Sequence, residues 1–440
     1  MTKFVFTSDA WTQTRRALFA DTSRESSALA IAHRGPGRLV VRDVLIPDAG
    51  DYAERSSIRA VVRPEFLFDA VGKAKAAGAA LVFLHTHPGD GAVPRFSAID
   101  DAGERRLASY LRRSLDYEPH GAIVLSPGGI AARVLATDTP AHVISVGRKV
   151  QFLNAVPTSP DGERFDRQIR AFGDEGQAAI GRLRIGIVGL GGTGSLTAQC
   201  LAHVGVTDFC LVDFDRVDPT NLNRLVGAGP GDVGQPKIDI ALRSITAVNP
   251  RARVEAYCGD VSESRIAARL AGCDLLFGCT DSHASRMTLS HIAYQYLVPV
   301  IDMGVSISVR GGALSHVTGR VQLLAPGLPC FTCLDLLDAE QIRRELLTPE
   351  ARAADPYIIG HHEPQPSVIS LNATMSSLAV SMFLGVVTNA PMAPVMQIYD
   401  GLAGSVRPTI GTVDPSCYVC SFNGALARGD SWPLPSGDRR

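Results

Sequence analysis

Residues Leu183–Lys237 constrain the fold more than any other stretch of this chain. Arg184-Ile185-Gly186-Ile187-Val188 is a short apolar run that breaks into Gly189-Leu190-Gly191-Gly192-Thr193-Gly194. A helical pattern follows over Ser195–Val204, then a second β-like run, Asp208–Val212, which ends at Asp213. This reads as strand, glycine turn, helix, strand: the first half of a mononucleotide-binding sheet. The glycines let backbone pass close to a phosphate, and the helix N-terminus behind them supplies free N–H groups. Asp213 comes 19 residues after Gly194, where an acid at the end of the second strand reaches a ribose hydroxyl. Nicotinamide, flavin and nucleotide enzymes all use such a loop, so its flanks must separate them.

Those flanks are rich in charge. Asp215, Asn221-Leu222-Asn223-Arg224 and Val233-Gly234-Gln235-Pro236-Lys237 follow Asp213; Arg164-Phe165-Asp166-Arg167-Gln168 precedes the loop, and Cys279-Thr280-Asp281 lies downstream. A dehydrogenase needs one acid on a ribose and room for a nicotinamide. A site holding the triphosphate of ATP beside a second anion needs cations on the phosphates and an acid for magnesium.

RxxRQ, GxGGxG, VDxDxVxxxNLxR, VGxPK and CTD, in this order from about Glu163 to Cys420, resemble the adenylyltransferase domain shared by MoeB, ThiF and ubiquitin-activating enzymes. The resemblance implies ATP and Mg2+, with the C-terminal carboxylate of a ubiquitin-like protein activated as an acyl-adenylate and pyrophosphate released. It implies Gly189, Gly191, Gly192 and Gly194 on the nucleotide, Asp213 on the ribose with Asp215 beside it, and Asn221, Arg224 and Lys237 around the phosphates. Asp281 would bind magnesium. Arg167 matches an arginine that enters the neighbouring subunit's site, which implies a homodimer through this domain.

With 440 residues the chain has room for two domains or more. Lys plus Arg (43) nearly balances Asp plus Glu (44), so no global field points to nucleic acid or a membrane. The opening lacks a signal-peptide core, and the apolar run around Leu378–Val387 is too short to span a bilayer. Nine cysteines, four of them in two CxxC pairs, fit a reducing compartment with metal sites. The expectation is a cytoplasmic protein.

Residues 1 to about 147 carry a second chemistry. Short β-runs (Ala28–Ala32, Arg38–Ile46, Ala80–Leu84, Gly121–Leu125) alternate with helical patterns (Thr12–Phe19, Pro64–Ala76, Ala98–Arg112). His85 and His87, two positions apart at a strand end, can face one metal, with Asp100 as third ligand. Three N/O ligands leave zinc a fourth position, the catalytic rather than the structural arrangement. Glu25 is the candidate base, and Ser97 could donate to an oxyanion. An upstream Glu, then HxHP, then SxxD resembles the JAMM/MPN isopeptidase family, whose members cleave bonds next to ubiquitin-like C-termini. Members most often have a shorter spacing than the twelve residues, Pro88 to Ile99, between His87 and Asp100 here. Asp101 is therefore an alternative ligand.

From Ala141 to Glu163 the pattern is lost, although Val143–Leu153 should include a last strand. The expected domains are 1–147, a linker at 148–162, the adenylating domain at 163–425 and a tail at 426–440. Beyond Lys237 the αβ alternation continues, predicting a doubly wound, mostly parallel sheet. Cys330, Cys333, Cys417 and Cys420 form two CxxC pairs that can close one tetrahedral, structural zinc site. The adenylating family carries the same four-cysteine site. Cys200, Cys210, Cys258, Cys273 and Cys279 read as inert core residues.

Relatives often place a reactive cysteine after the first CxxC, yet Thr348–Gln365 holds none. Either the enzyme hands on its acyl-adenylate, or a hydroxyl takes the acyl group. Ser367 stands near the right place, with His361, His362 and Glu363 upstream as bases; it also reads as the cap of the helix that follows. The fold class expected is α/β, a JAMM/MPN-like domain followed by a Rossmann-like ThiF-type domain with a four-cysteine zinc site. The expected cofactors are ATP, Mg2+ and two Zn2+, one catalytic and one structural. The expected partners are a ubiquitin-like substrate, a conjugating-enzyme-like acceptor and a second copy of the chain. The alternative is adenylation of a peptide or small-molecule carboxylate, with the first domain an inactive binding module.

Overall fold

The computed structural model describes residues 2–89, 91–154, 162–347, 366–391 and 394–435. Two compact units emerge. The first comprises Met1–Val156 with Gln295–Leu297 and Ala425–Pro433; the second comprises Pro157–Tyr294, Val298–Gly424 and Leu434–Arg440.

The elements of the first unit are β1 (Thr2–Thr7), α1 (Ser8–Leu18), β2 (Ser27–Gly35), β3 (Arg38–Leu45), β4 (Tyr52–Arg55), β5 (Ala60–Val62), α2 (Pro64–Ala76), β6 (Ala80–Thr86), α3 (Ala98–Ser114), β7 (Gly121–Ser126), β8 (Gly129–Val134), β9 (Ala141–Val146) and β10 (Val150–Phe152). Eight strands make one mixed sheet in the order β10-β9-β1-β3-β2-β6-β7-β8. Successive strand residues point to opposite faces, and the two cores follow that alternation. Ala28, Ala30, Ala32, Val82 and Leu84 pack with Trp11 and Leu18 of α1. Ile31 and Leu81 pack instead with Val71 and Ala74 of α2 and with Ala108 and Leu111 of α3.

Two boundaries differ from the sequence reading. Ala141–Val146 pairs in parallel with β1, as the last strand expected within Val143–Leu153, and β10 pairs with it, so that β10 carries the sheet into residues 148–162, expected to be linker. Their short alternation is hard to read because half of their support comes from Thr2–Thr7, far away in sequence. At the other end, Ala425–Pro433 groups with the first unit and is not a loose tail.

The second unit runs α4 (Gly162–Arg182), β11 (Arg184–Val188), α5 (Gly192–Val204), β12 (Asp208–Val212), α6 (Lys237–Val248), β13 (Arg253–Tyr257), α7 (Ser264–Leu270), β14 (Leu275–Gly278), α8 (His283–Gln295), β15 (Val300–Arg310), β16 (Ala313–Leu324), α9 (Ala339–Leu346), α10 (Ile369–Val387), β17 (Met396–Asp400) and β18 (Ser405–Pro408). Its sheet has the order β13-β12-β11-β14-β15-β16-β17-β18. The first five strands are parallel neighbours and the last three antiparallel. Strand order reverses between β11 and β14, and ligands of such sheets bind at that crevice, beyond the carboxyl ends of the strands.

Helix α10 corrects the reading of Leu378–Val387. The helix is longer than that run, and Ile369–Val387 is long and apolar enough to cross a membrane by length and composition. Met375, Ala379, Met382, Phe383 and Val386 are nevertheless buried, and Phe383 lies 5.8 Å from the ring of Phe277 on β14. It packs as a core helix.

In the first unit, burial pushes His33 and His120 down to about 4, the nearby Arg42 adding to the effect at His33 and Arg112 at His120. His120 Nδ1 accepts the Leu81 N–H at 3.1 Å, so the ring is neutral in the fold. The unfolded chain therefore binds these protons below about pH 6.5, and the native state binds them only near 4. Stability should fall as pH drops through that window. Thermal unfolding from pH 7 to 4.5 should show a falling midpoint, and His120→Asn should flatten the slope.

Candidate functional site

Candidate residues gather in three groups. The first gathers at the β11/β14 crevice. Gly189 leaves β11 with φ +85°, a conformation that favours glycine, and its Cα faces the Cys279 carbonyl so closely that a β-carbon would lie 2.6 Å from that oxygen. A β-carbon on Gly194 would overlap the Gly189 carbonyl. Gly191 is the N-cap of α5 and gives the helix no side-chain cap. The amides of its first turn are thus left for an anionic ligand, with the helix dipole behind them.

Asp213 ends β12 and anchors this loop. Its Oδ2 accepts the Leu190 N–H at 2.6 Å and its Oδ1 the Asp215 N–H at 2.7 Å. Burial raises its pKa, opposed by the Leu190 hydrogen bond and by Lys237. Lys237 Nζ donates to Asp215 Oδ2 at 2.6 Å. Arg224 reaches the same loop: a β-carbon on Gly192 would stand 3.3 Å from Arg224 Cδ. Its guanidinium donates to Thr220 O at 2.7 Å and Asn223 Oδ1 at 3.2 Å. Asn221 accepts the Asp218 N–H at 3.2 Å in a short 3-10 turn. Cys279 N donates to Val188 O at 2.8 Å, and the Thr280 amide lies beside Gly189; Asp281 follows, exposed. Arg167 is exposed on α4.

The second group lies in the first unit. His85 and His87 have the parity of Leu81, so they face α2 and α3. Ser27 pairs with His85 across β2 and β6, and Glu25 continues the same parity. Asp100 sits in the first turn of α3, in a reciprocal cap. Ser97 N donates to Asp100 Oδ2 at 2.6 Å, and Ser97 Oγ accepts the Asp100 N–H at 3.2 Å. His85 Nε2 lies 3.1 Å from Asp100 Oδ1, and His87 Nε2 lies 3.5 Å from Asp100 Oδ2. Ligands at about 2.05 Å around a tetrahedral zinc stand about 3.3 Å apart. Nδ1 of buried His85 lacks a hydrogen-bond partner, and its Nε2 faces Asp100 at the spacing of two ligands on one ion, so the cluster fits a metal. Burial acts to raise the Asp100 pKa, but the His85 and His87 contacts hold it far below the usual carboxylate range. Glu25 Oε1 is 3.9 Å from His87 Nε2, just outside the ligand ring. The ligand atoms that lie together are those of His85, His87 and Asp100, while Asp101 Oδ1 accepts from Arg133 at 2.6 Å.

The third group is Cys330, Cys333, Cys417 and Cys420. Sulfur separations are 3.7, 3.5 and 3.3 Å for Cys330–Cys333, Cys330–Cys417 and Cys333–Cys420. Disulfides need about 2.05 Å, whereas four sulfurs on a tetrahedral zinc stand about 3.8 Å apart. The Cys333, Asp414 and Val419 amides each donate to a sulfur of the set at 3.4 Å. Contact with Cys420, followed by the Cys333 amide, pulls the Cys330 thiol down to about 5 against burial. These sulfurs fit zinc.

The ThiF family model matches residues 165–419. The chain belongs to the ThiF family. The molybdopterin-synthase adenylyltransferase of Escherichia coli K12 is 31% identical over 261 residues, covering 58% of this chain and 95% of that protein. The sulfur carrier protein adenylyltransferase of Thermus thermophilus is 29% identical and covers 60% of this chain and 92% of its own. A crystal structure of E. coli MccB aligns with a TM-score of 0.48 at 17% identity, over 60% of this chain and 73% of that one. Residues 165–419 of this ThiF-family chain are an adenylyltransferase domain. Residues Met1–Val156 of the first unit lie outside the family match.

Several residues of this ThiF-family domain escaped the sequence reading. Asn372 of α10 is buried, and a β-carbon on Gly192 would collide with its Nδ2. That Nδ2 donates to Ser367 Oγ at 3.2 Å. Ser367 is therefore not the cap expected from sequence: the N-cap of α10 is Val368, which makes no side-chain cap. Ser376 Oγ donates to Thr193 O at 2.9 Å. Asp302, fully buried, accepts from Arg286 at 3.3 Å and Arg320 at 2.9 Å; its sequence signal was an acid directly after the apolar run Val298–Ile301. Cys258 is exposed, not core, because β13 has ended before it. His361, His362 and Glu363 lie outside the described residues.

Cys420→Ser should lower bound zinc by one ion per chain in elemental analysis. It should also lower the thermal midpoint, because binding to a structural site contributes to folding free energy.

Proposed function

We propose that this chain adenylates the C-terminal carboxylate of a ubiquitin-like protein, and that its first unit is a zinc-dependent (iso)peptidase of JAMM/MPN type acting on such tails. The observation that supports this most is the convergence of Arg224, Asp213 and Cys279–Asp281 on one glycine loop, with Lys237 tied to it through Asp215.

In the adenylation step a tail carboxylate oxygen attacks the α-phosphorus of ATP. The bond to the bridging oxygen breaks, and pyrophosphate leaves with the developing negative charge. Amides of the α5 N-terminus hold the phosphates. Arg224 and Lys237 stabilise the charge that grows on the leaving group, where fixed cations act most strongly. Lys237 exchanges its Asp215 partner for a phosphate oxygen as ATP enters. Asp213 keeps lone pairs for the ribose, and Asn221 lines the phosphate side. Asp281 would hold Mg2+, which offsets phosphate charge when bound. Arg167, exposed on α4, would complete the site of a second copy in a homodimer.

Ser367 offers a place for the acyl group after adenylation. Its hydroxyl attacks the acyl carbon, AMP leaves and the hydroxyl proton passes to solvent; otherwise the adenylate goes directly to a conjugating-enzyme-like acceptor. In the first unit His85, His87 and Asp100 would hold zinc, which supplies Lewis-acid polarisation of a carbonyl when bound. Glu25 would take and return a proton at its carboxylate, and Ser97, whose oxygen accepts from Asp100, keeps its own proton to donate.

ATP–pyrophosphate exchange should depend on an added ubiquitin-like protein with a free C-terminus. Lys237→Met and Arg224→Ala should each lower it by about 100-fold or more. Exchange that proceeds on a short peptide with no protein partner would overturn the ubiquitin-like reading in favour of a peptide substrate. Intact mass after ATP and substrate tests Ser367: an acyl adduct absent from Ser367→Ala assigns the oxyester, and an adduct that survives the substitution rules it out.

A further inference from the structure

The hairpin β7–β8 grips the segment that joins the two halves of the histidine–aspartate cluster. Twelve residues separate His87 from Asp100, long enough to leave the third ligand loosely placed if only the ends were fixed. At the hairpin turn, Ser126 Oγ donates to Ala92 O at 2.7 Å and accepts the Gly128 N–H at 3.2 Å. A β-carbon on Gly128 would run into the Gly91 carbonyl, so the segment lies directly on the turn. Farther along β8, Arg133 is nearly enclosed, its side chain 12% exposed. It donates to Asp101 Oδ1 at 2.6 Å, to Glu104 Oε1 at 2.9 Å and to Glu104 Oε2 at 3.2 Å. Glu104 is 2% exposed and also accepts the Ala136 N–H at 2.9 Å. The guanidinium carbon stands 3.9 Å from the centre of the Phe96 ring, and that ring lies 6.3 Å from His85.

One cation therefore holds the residue after Asp100, the next turn of α3, and the aromatic ring that flanks His85. We propose that Arg133 is a positioning residue for the metal cluster, setting the first turn of α3 so that Asp100 meets His85 and His87 at ligand distance. This rests on reading those three residues as a metal site. The planar fork matters here, because a lysine cannot bond Asp101 and both Glu104 oxygens while stacking on Phe96. Removing Arg133 alone would leave Glu104 buried without its counter-ion, so the informative variants are Arg133→Lys and the paired Arg133→Met with Glu104→Met.

The test uses the full chain with cobalt and zinc as probes, read as a difference against His85→Ala. In both variants zinc affinity of the histidine–aspartate site should fall about 10- to 100-fold, as for other groups that orient metal ligands. The visible cobalt spectrum of that site should change shape, while zinc at the four cysteines and ATP–pyrophosphate exchange stay unchanged. Affinity within about twofold of wild type and an unaltered spectrum, in variants with a wild-type thermal midpoint, would overturn the inference. If the wild-type chain and His85→Ala bind cobalt alike, the metal reading itself fails, and Arg133 is left with a packing role.

Discussion

The adenylating unit depends on one close approach of backbone to backbone, where Gly189 leaves β11 against the Cys279 carbonyl at the end of β14. Neighbouring parallel strands part at this point because the chain winds away from them in opposite directions. A side chain at position 189 would hold them apart. With none, two separate stretches, the glycine loop and Cys279–Asp281, emerge side by side. Asp213 then fixes the loop from the third side through the Leu190 amide. A buried carboxylate accepting two backbone N–H groups is well compensated, which fixes the loop before any phosphate arrives.

Much of this was legible because it is local. The glycine turn, the acid ending the next strand and the helix Pro64–Ala76 are dictated by neighbours a few residues away, and the structure shows them with little change in bounds. The histidine–aspartate cluster was legible for a different reason: two-residue periodicity places His85 and His87 on one face without knowledge of the partner strand. Strands β1 and β9 were not legible as a pair, since their pairing with each other joins residues more than a hundred positions apart. Arg133 gave no signal either, because an arginine in a strand reads as a solvent-facing charge until its carboxylate partners are known.

Cys258 and Ser367 fail in opposite directions. Cys258 directly follows the apolar end of a strand and was read as core, yet β13 stops at Tyr257 and the thiol emerges. Ser367 precedes a helix in the manner of a cap, yet its oxygen accepts from the Asn372 side chain and leaves the first-turn amides alone. In both cases the residue type was ordinary for its surroundings, and the exact end of an element decided its environment. Ends are where local propensity is weakest and tertiary contacts prevail.

Helix α10 carries that point furthest. Its composition satisfies the length and hydropathy of a bilayer span, and nothing in an average over such a window separates lipid from protein as the surrounding medium. The polar residues do. Asn372 and Ser376 lie one turn apart on the face that meets the start of α5. There Asn372 closes over Gly192, and Ser376 donates to the Thr193 carbonyl. A buried amide and hydroxyl are tolerated when each finds a partner: the Asn372 amide donates to Ser367 Oγ, and the Ser376 partner belongs to the glycine loop. The apolar residues of the helix bury it against the sheet, while its polar pair fixes where along the glycine loop its first turn comes to rest. Its hydropathy and its polar pair thus have one explanation, a core helix whose first turns meet the glycine loop.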